Sequence, residues 1–299
     1  MQLINVVIPT RNRPNDLLNI LKCLSNQSIK IEKIVIVDSS DEPTSVDESA
    51  FPNLSIHVIN TDIRSAAEQR NIGKRYVGNE SKYIAFLDDD VSIERDYLSQ
   101  LIELITLKQA VGVSGVAINL ISDERRKPPH GLSGLLHRVF LLDSSKDGAL
   151  LRSGINIPIR KTDNENFEVD WLIGCSLWDS HQIAEIFFER DFRGQSLGED
   201  VIFSVRARKK GSLFVNSSII LNHFESPIGR ADQIEHYKMW VNNRQRLIHI
   251  MGGKFLNQIA FQLANIGQAL IFVYLGFKSD IKNFQVARTI ITSSLRNGN

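Results

Sequence analysis

The sequence predicts an α/β fold: a mainly parallel sheet flanked by helices, with a C-terminal helical extension. Three observations predict it. Short uncharged runs rich in Val and Ile alternate with stretches whose apolar residues recur at helical spacing, which is the pattern of βαβ units. Two of these runs end directly on acids, at Asp38 and at Asp88-Asp89-Asp90. Beyond about residue 230 the alternation stops and long helical stretches take over.

The elements follow in order. Leu3–Ile8 is a first strand, and Pro9-Thr10-Arg11-Asn12-Arg13-Pro14 breaks it. Pro14 suits the first turn of a helix that carries Leu17, Leu18, Leu21 and Leu24 on one face. Ile34–Val37 and Ile56–Ile59 are the next strands, and Ser65–Tyr76 is a helix bearing Arg70 and Asn71. Tyr83–Leu87 is apolar or aromatic without a break, as in a strand buried on both faces. A helix over Ile93–Thr106 and a strand over Val111–Leu120 follow. From Ser122 to Asn166 periodicity is lost among prolines and glycines, as in a functional loop, with Leu135–Leu142 as a short helix inside it. Order resumes at Val169–Gly174, followed by helices over Ser180–Phe188 and from Gly198 to Arg208. Closing strands lie at Leu213–Val215 and Ile219–Leu221, with His223 just after.

Apolar residues make up 42% of the 299 and charged residues 23%, ordinary proportions for a globular protein. The net charge of +1 excludes a global field for nucleic acid, but it is unevenly spread. Residues 230–299 hold nine Lys/Arg and three acids, a surplus of six positive charges that leaves −5 on the remainder. A basic tail points to an anionic partner surface, a membrane leaflet among them. Cys23 and Cys175 have no metal-ligand spacing, which suits a reduced, cytoplasmic protein. The first strand begins at once, with no signal peptide expected.

Three carboxylates crowded at the end of a buried strand repel one another and resist desolvation. A divalent cation offsets both effects, and ligands bind past the carboxyl ends of strands in such sheets. The bland alternative is an acidic turn capping the next helix. Asp38 has a similar alternative as a turn cap aided by Ser39 and Ser40. His223 alone reads as an ordinary satisfied histidine, and Trp171 as core packing. Glu199 and Asp200 alone read as acids favoured by a helix N-terminus.

Taken together and in this order, the run Val7–Arg13, Asp38, Arg70-Asn71-Ile72-Gly73, Asp88-Asp89-Asp90, Gly198-Glu199-Asp200 and His223 resemble the family-2 glycosyltransferases over most of residues 1–225. The resemblance implies the GT-A fold, a Rossmann-like sheet domain over residues 1–229. Residues 122–166 would be its variable acceptor region, and 230–299 a basic amphipathic extension. It implies an inverting enzyme that takes a hexosyl or deoxyhexosyl group from a nucleoside-diphosphate sugar, with Mn2+ or Mg2+ as cofactor. Asp90 and His223 would hold the metal, and Asp88 the ribose or the metal's water shell. Pro9, Thr10, Arg11, Asp38, Arg70 and Asp89 would line the donor site, with Asp38 accepting from uracil or thymine, which favours a UDP- or dTDP-sugar and leaves a guanine donor open. Asp200 would be the base, Glu199 would orient its loop or contact the acceptor, and Trp171 and Gly174 would flank a saccharide or lipid-linked acceptor.

Two rivals remain at this point. A sugar-phosphate nucleotidylyltransferase uses a related sheet, but the loop Pro9–Pro14 lacks the glycines that grip a triphosphate. A non-catalytic sugar- or nucleotide-binding scaffold at a membrane would not need the acids. Phe255–Phe277 runs uncharged between Lys254 and Lys278, long enough to span a bilayer. Its amide stripe, Asn257, Gln258, Gln262, Asn265 and Gln268, instead favours a helix lying in the interface or packed on protein. The expected setting is bacterial surface polysaccharide synthesis at the inner face of the cell membrane, with no nucleic acid involved.

Overall fold

A computed structural model describes residues 4–121, 131–160, 166–190, 197–224 and 232–296. The chain divides into two compact units. The first comprises residues 1–126 and 159–229, and the second 127–158 and 230–299. Residues 127–158, placed with the sheet domain from sequence, thus group with the C-terminal helices.

The first unit is built on one nine-stranded sheet. Its elements are β1 (Ile4–Thr10), α1 (Pro14–Ser25), β2 (Lys33–Asp38), β3 (Ile56–Asn60), α2 (Ala66–Val77), β4 (Tyr83–Phe86), β5 (Val91–Ile93), α3 (Tyr97–Lys108), β6 (Gly112–Ala117) and α4 (Ile118–Ile121). After α5 (Gly131–Val139), which belongs to the second unit, come β7 (Asn166–Val169), β8 (Ser176–Asp179), α6 (Glu199–Ala207) and β9 (Leu213–His223). The strand order is β3-β2-β1-β4-β8-β6-β9-β5, with β7 also on β9. Strands β1 to β4 are parallel, and β1 is buried along its whole length. The other half is mixed, because β5, β7 and β8 run antiparallel to their neighbours.

Gly73 of α2 lets that helix approach the sheet closely. A Cβ there would lie 2.3 Å from Val7 Cγ1 and 3.3 Å from Val37 Cγ2. Phe86, Phe188, Phe203 and Trp178 form an aromatic cluster, with Phe188 and Phe203 stacked at 4.2 Å between centroids. This cluster seats α6 in the first unit.

Four local expectations change. The strand expected over Val111–Leu120 stops at Ala117, and Ile118–Ile121 form α4. Val91–Ile93 is a strand on Leu221–His223 rather than a helix start, so α3 begins only at Tyr97. The two closing strands form one continuous β9, and its register on β6 shifts between Ser114 and Val116. There a Cβ on Gly115 would strike the Ile219 carbonyl oxygen at 2.1 Å. Residues 180–185 make turns, not a helix. Side chains of α2 take the backbone groups a helix would have used. Asn71 both donates to the Phe188 carbonyl (3.0 Å) and accepts from its N–H (2.8 Å), and Lys74 donates to the Ala184 carbonyl (2.7 Å).

The second unit holds α5 (Gly131–Val139), α7 (Gln233–Ile250), α8 (Phe255–Lys278) and α9 (Lys282–Arg296). The short helix expected at Leu135–Leu142 is α5, starting earlier. Val241, Ile248, Phe261, Phe272, Val286 and Ile290 form the core of this bundle. Arg244 is buried in it, stacked 4.1 Å from the Trp240 ring and donating to Asn265 Oδ1 (3.0 Å) and the Ser153 carbonyl (2.7 Å). Burial lowers its pKa to about 9. Two residues of the α8 amide stripe, Asn257 and Asn265, are buried, while Gln258, Gln262 and Gln268 are half-buried and Gln262 donates to the Ser294 carbonyl (3.1 Å). By length and composition alone α8 could cross a membrane.

Candidate active site

The parallel strands bring their carboxyl ends to one edge of the sheet. Thr10 lies opposite Asp38 in register, and Val7 lies opposite Phe86, two residues before Asp88. Loops between strand and helix therefore converge there, where open α/β sheets bind ligands. Asn12 ties the first two loops together. It adopts a left-handed conformation (φ 55°), which asparagine tolerates better than most residues. Its side chain exchanges hydrogen bonds with Asp41, donating to Oδ2 (2.8 Å) and accepting from the backbone N–H (2.9 Å).

Antiparallel pairing of β5 with the end of β9 sets Val91 opposite His223. This carries the histidine to the acidic triplet. The Phe224 N–H donates to the Asp90 carbonyl oxygen (2.9 Å) and closes the same edge. His223 Nε2 lies 2.9 Å from Asp90 Oδ1 and 3.9 Å from Asp88 Oδ2. Asp88, Asp90 and His223 each offer one ligand atom, and these atoms all lie within 4.8 Å of one another. Two carboxylate oxygens and an imidazole nitrogen so placed fit one divalent cation such as Mn2+. Asn119 of α4 holds the histidine by its backbone, donating to the His223 carbonyl (2.8 Å) and accepting from its N–H (3.0 Å).

Asp89, the middle acid, turns elsewhere. Its carboxylate accepts from the Thr10 hydroxyl (2.6 Å) and from Arg13 (2.9 Å), which also reaches Asp90 (3.3 Å). Burial pushes the Asp89 carboxyl up to about 6, against the pull of Thr10 and Arg13. Burial opposes the Arg13 charge as well, but Asp89 and Asp90 outweigh it and hold the guanidinium above its ordinary range.

Arg70 of α2 links the cluster of Asp88, Asp90 and His223 to the start of α6. Its guanidinium is buried, and one nitrogen donates to Asp88 while the other donates to Glu199. Burial disfavours this charge, yet Glu199 and Asp88 hold it protonated well above the usual range. Gly198 precedes α6 with φ 82°, a conformation that favours glycine. Successive helical residues point about 100° apart, so with Glu199 directed to Arg70 the neighbouring Asp200 points elsewhere. Asp200 is partly buried, and its Oδ1 accepts from the Val201 N–H (2.8 Å). Desolvation raises its pKa to about 6, against the Val201 hydrogen bond and Arg70. A carboxylate titrating there is charged at neutral pH and basic enough to take a proton.

The remaining expected residues are distributed around this core. Gly174 touches it: a Cβ would come within 3.1 Å of Arg70 and 3.3 Å of Asp88. Trp171 is half-buried beside Leu172, whose N–H donates to Ser204 on α6 (3.0 Å). Asp38 is buried, and its oxygens accept from the backbone N–H groups of Ser40 and Thr44, both at 2.8 Å. That is the turn-capping arrangement, at the strand end opposite Thr10. Arg11 lies 3.6 Å from Asp41, and Pro9 sits within β1.

Three contributors had no sequence signal of their own. Asn119 clamps His223. The Cys175 thiol, which burial makes harder to ionise, accepts from the Asp88 N–H at 3.4 Å. Gln69 donates to the carbonyls of Thr10 (2.8 Å) and Val37 (2.7 Å), fastening the ends of β1 and β2.

Several solved structures share the fold. S. aureus TarS is 14% identical with a TM-score of 0.52, and the match covers 96% of this chain and 55% of TarS. This chain thus spans about half the length of that protein. The mannosyltransferase PcManGT from Pyrobaculum calidifontis, solved with GDP-Man and Mn2+, is 14% identical with a TM-score of 0.55, covering 98% and 86%. GalNAc-T7, solved with UDP, GalNAc and Mn2+, is 13% identical with a TM-score of 0.57, covering 82% and 48%. No curated protein sequence matches the chain. At these identities the likeness is one of fold, the GT-A fold. The family model for glycosyl transferase family 2 matches residues 5–167, which contain β1, α2 and the acidic triplet, and the chain belongs to that family.

Proposed function

We propose that this protein is a metal-dependent, inverting glycosyltransferase that moves a hexosyl or deoxyhexosyl group from a nucleoside-diphosphate sugar to a saccharide or lipid-linked acceptor in bacterial surface polysaccharide synthesis. The observation that carries the proposal is the convergence of Asp88, Asp90 and His223 at the carboxyl ends of the parallel strands, joined through Arg70 to Glu199 beside Asp200. A divalent ion, held by Asp90 and His223 with Asp88 beside them, would supply positive charge to the diphosphate leaving group. Asp200 takes the proton of the attacking acceptor hydroxyl as direct displacement inverts the anomeric carbon. Arg70 fixes the distance between the two groups, because one rigid guanidinium bonds both Asp88 and Glu199. The nucleotide lies along Pro9, Thr10, Arg11 and Asp38, and the acceptor against Trp171 and Gly174.

Mn2+ accompanies the nucleotide or sugar in two of the neighbouring folds, PcManGT and GalNAc-T7, which supports both donor class and cofactor. Family membership favours transfer over nucleotidyl exchange. The test is incubation with a panel of nucleotide sugars and Mn2+, followed by assay of free nucleoside diphosphate. Release that requires metal and is lost in Asp90→Asn supports the proposal. Consumption of a nucleoside triphosphate, or binding without release, would replace it with one of the two rivals.

A further inference from the structure

Helix α8 carries apolar residues on its outer face as well as in the core. Amides and small residues, Asn257, Ala260, Ala264, Asn265, Gly267 and Ala269, face the bundle. The opposite face exposes Leu256, Ile259, Ile266, Leu270, Tyr274 and Phe277, with Phe277 82% exposed. These recur at three- and four-residue steps, so they form one continuous stripe about 32 Å long at 1.5 Å per residue. Ile259, Leu263 and Ile266, together with the amides Gln258 and Gln262, line an open groove of about 390 Å3 on the same face. Another helix of this unit, α5, also exposes Leu132, Leu135, Leu136 and Val139. Apolar area of this extent on a soluble surface marks an interaction site.

Charge decides what covers it. Residues 127–158 and 230–299 hold thirteen Lys/Arg against five Asp/Glu, a net +8, which leaves −7 on the rest of the chain. Lys254 and Lys278 bracket the stripe at the two ends of α8, and both are exposed, as are Lys282 and Arg288 of α9. The Lys278 ammonium lies over the Tyr274 ring, 5.9 Å from its centroid, so a cation sits against one end of the stripe. A second copy of the chain would bring +8 against +8. A bilayer-spanning α8 would have to withdraw Asn257 and Asn265 from the bundle. An anionic lipid surface satisfies both features, taking the stripe into the boundary between headgroups and acyl chains and the cations onto its phosphates.

We propose that the exposed face of α8 docks in the plane of an anionic membrane, with Lys254 and Lys278 at its ends. This does not rest on the transferase reading, since it uses the helical unit alone. The experiment is flotation of the full chain with vesicles of phosphatidylcholine, with and without phosphatidylserine, at low and high salt. The expected result is flotation only with phosphatidylserine, weakened by salt because exposed charges are screened. Lys278→Gln should weaken binding about fivefold, the equivalent of ~1 kcal/mol per surface cation. Ile259→Glu with Leu270→Glu should abolish it at an unchanged melting temperature. Should that pair melt early, Phe277→Ser gives the same readout at a site already in solvent. Flotation undiminished by the stripe variants would overturn the proposal. So would failure to float by a chain that sediments as a dimer, which would assign the stripe to a second copy. Retention through alkaline wash would overturn it in favour of a spanning helix.

Discussion

The two units handle polarity in opposite ways. The sheet unit buries charge: Arg70, Asp89, Asp90 and Glu199 are all nearly inaccessible, each paired with a partner of opposite sign. The helical unit exposes apolar surface on α8 while it buries Asn257, Asn265 and the cation Arg244. Neither is what stability alone selects, since desolvating ions and wetting apolar side chains both cost free energy. Each departure therefore marks where the protein meets something else. Buried, fixed charge suits a reaction that develops charge, because preorganised groups act strongly where water is excluded. Exposed apolar area beside cations suits an anionic, apolar-cored surface.

This contrast predicts a separation of effects, with changes in one unit leaving the other's property intact. The largest effect belongs to Asp200→Asn, expected to lower kcat by about 10²–10⁴-fold, as removal of a general base does. Donor affinity, metal dependence and vesicle flotation should be unchanged. A base at Asp200 would act as the carboxylate, and burial raises its pKa to about 6. In the wild-type protein kcat/KM should thus fall as pH drops through 6, since protonation removes the base. A flat profile between pH 5 and 8 would take Asp200 out of that role, and a dead Glu199→Gln beside an active Asp200→Asn would exchange the two.

The next effect is on stability. Gly73→Ala forces a methyl group to within 2.3 Å of the wholly buried Val7, and overpacking of this kind costs about 1–3 kcal/mol. For a unit of this size each kcal/mol lowers Tm by roughly 2–4 °C. Gly267→Ala makes the matching test in the helical unit, where a Cβ would meet Phe140 at 2.4 Å. Phe140 is only half-buried, but the contact is with its Cβ and Cγ, so relief requires its backbone to shift and a comparable loss is expected. A clearly smaller loss there would mean that the helical unit is less tightly set than the sheet.

The smallest effect separates the histidine from its support. Asn119→Ala leaves His223 in place but removes both hydrogen bonds that fix its backbone, and should weaken Mn2+ affinity about 10-fold, the lower end for loss of an orienting partner. Unchanged affinity would show that pairing with β5 alone holds the histidine.

Much of the sheet unit was legible in the sequence because its signals are local. An unbroken run such as Tyr83–Leu87 has to be buried on both faces, and acids at its end have to sit at a sheet edge. Family order then gathered Arg70, Asp88, Asp90, Glu199 and His223, which the structure does bring together. Asp89 was legible as an acid of the triplet but not as the partner of Thr10 and Arg13, because alternation along an extended segment does not say what lies opposite. The amide stripe of α8 was legible as a stripe, but not in its direction.

The sequence by itself determined the alternation of strands and helices, the strand-end acids, the basic tail and the length of α8, because each depends on composition and spacing within one segment. Tertiary structure alone decided that Val91–Ile93 is a strand, that residues 180–185 forgo a helix, that Asn119 holds His223 and that α8 shows its apolar face to solvent. Each of these turns on a partner far along the chain: β9 for Val91–Ile93, Asn71 and Lys74 for the turns, α4 for the histidine, α7 and α9 for α8. A segment's own periodicity fixes which residues share a face, whereas the competition among distant surfaces for burial and hydrogen bonds fixes what that face meets.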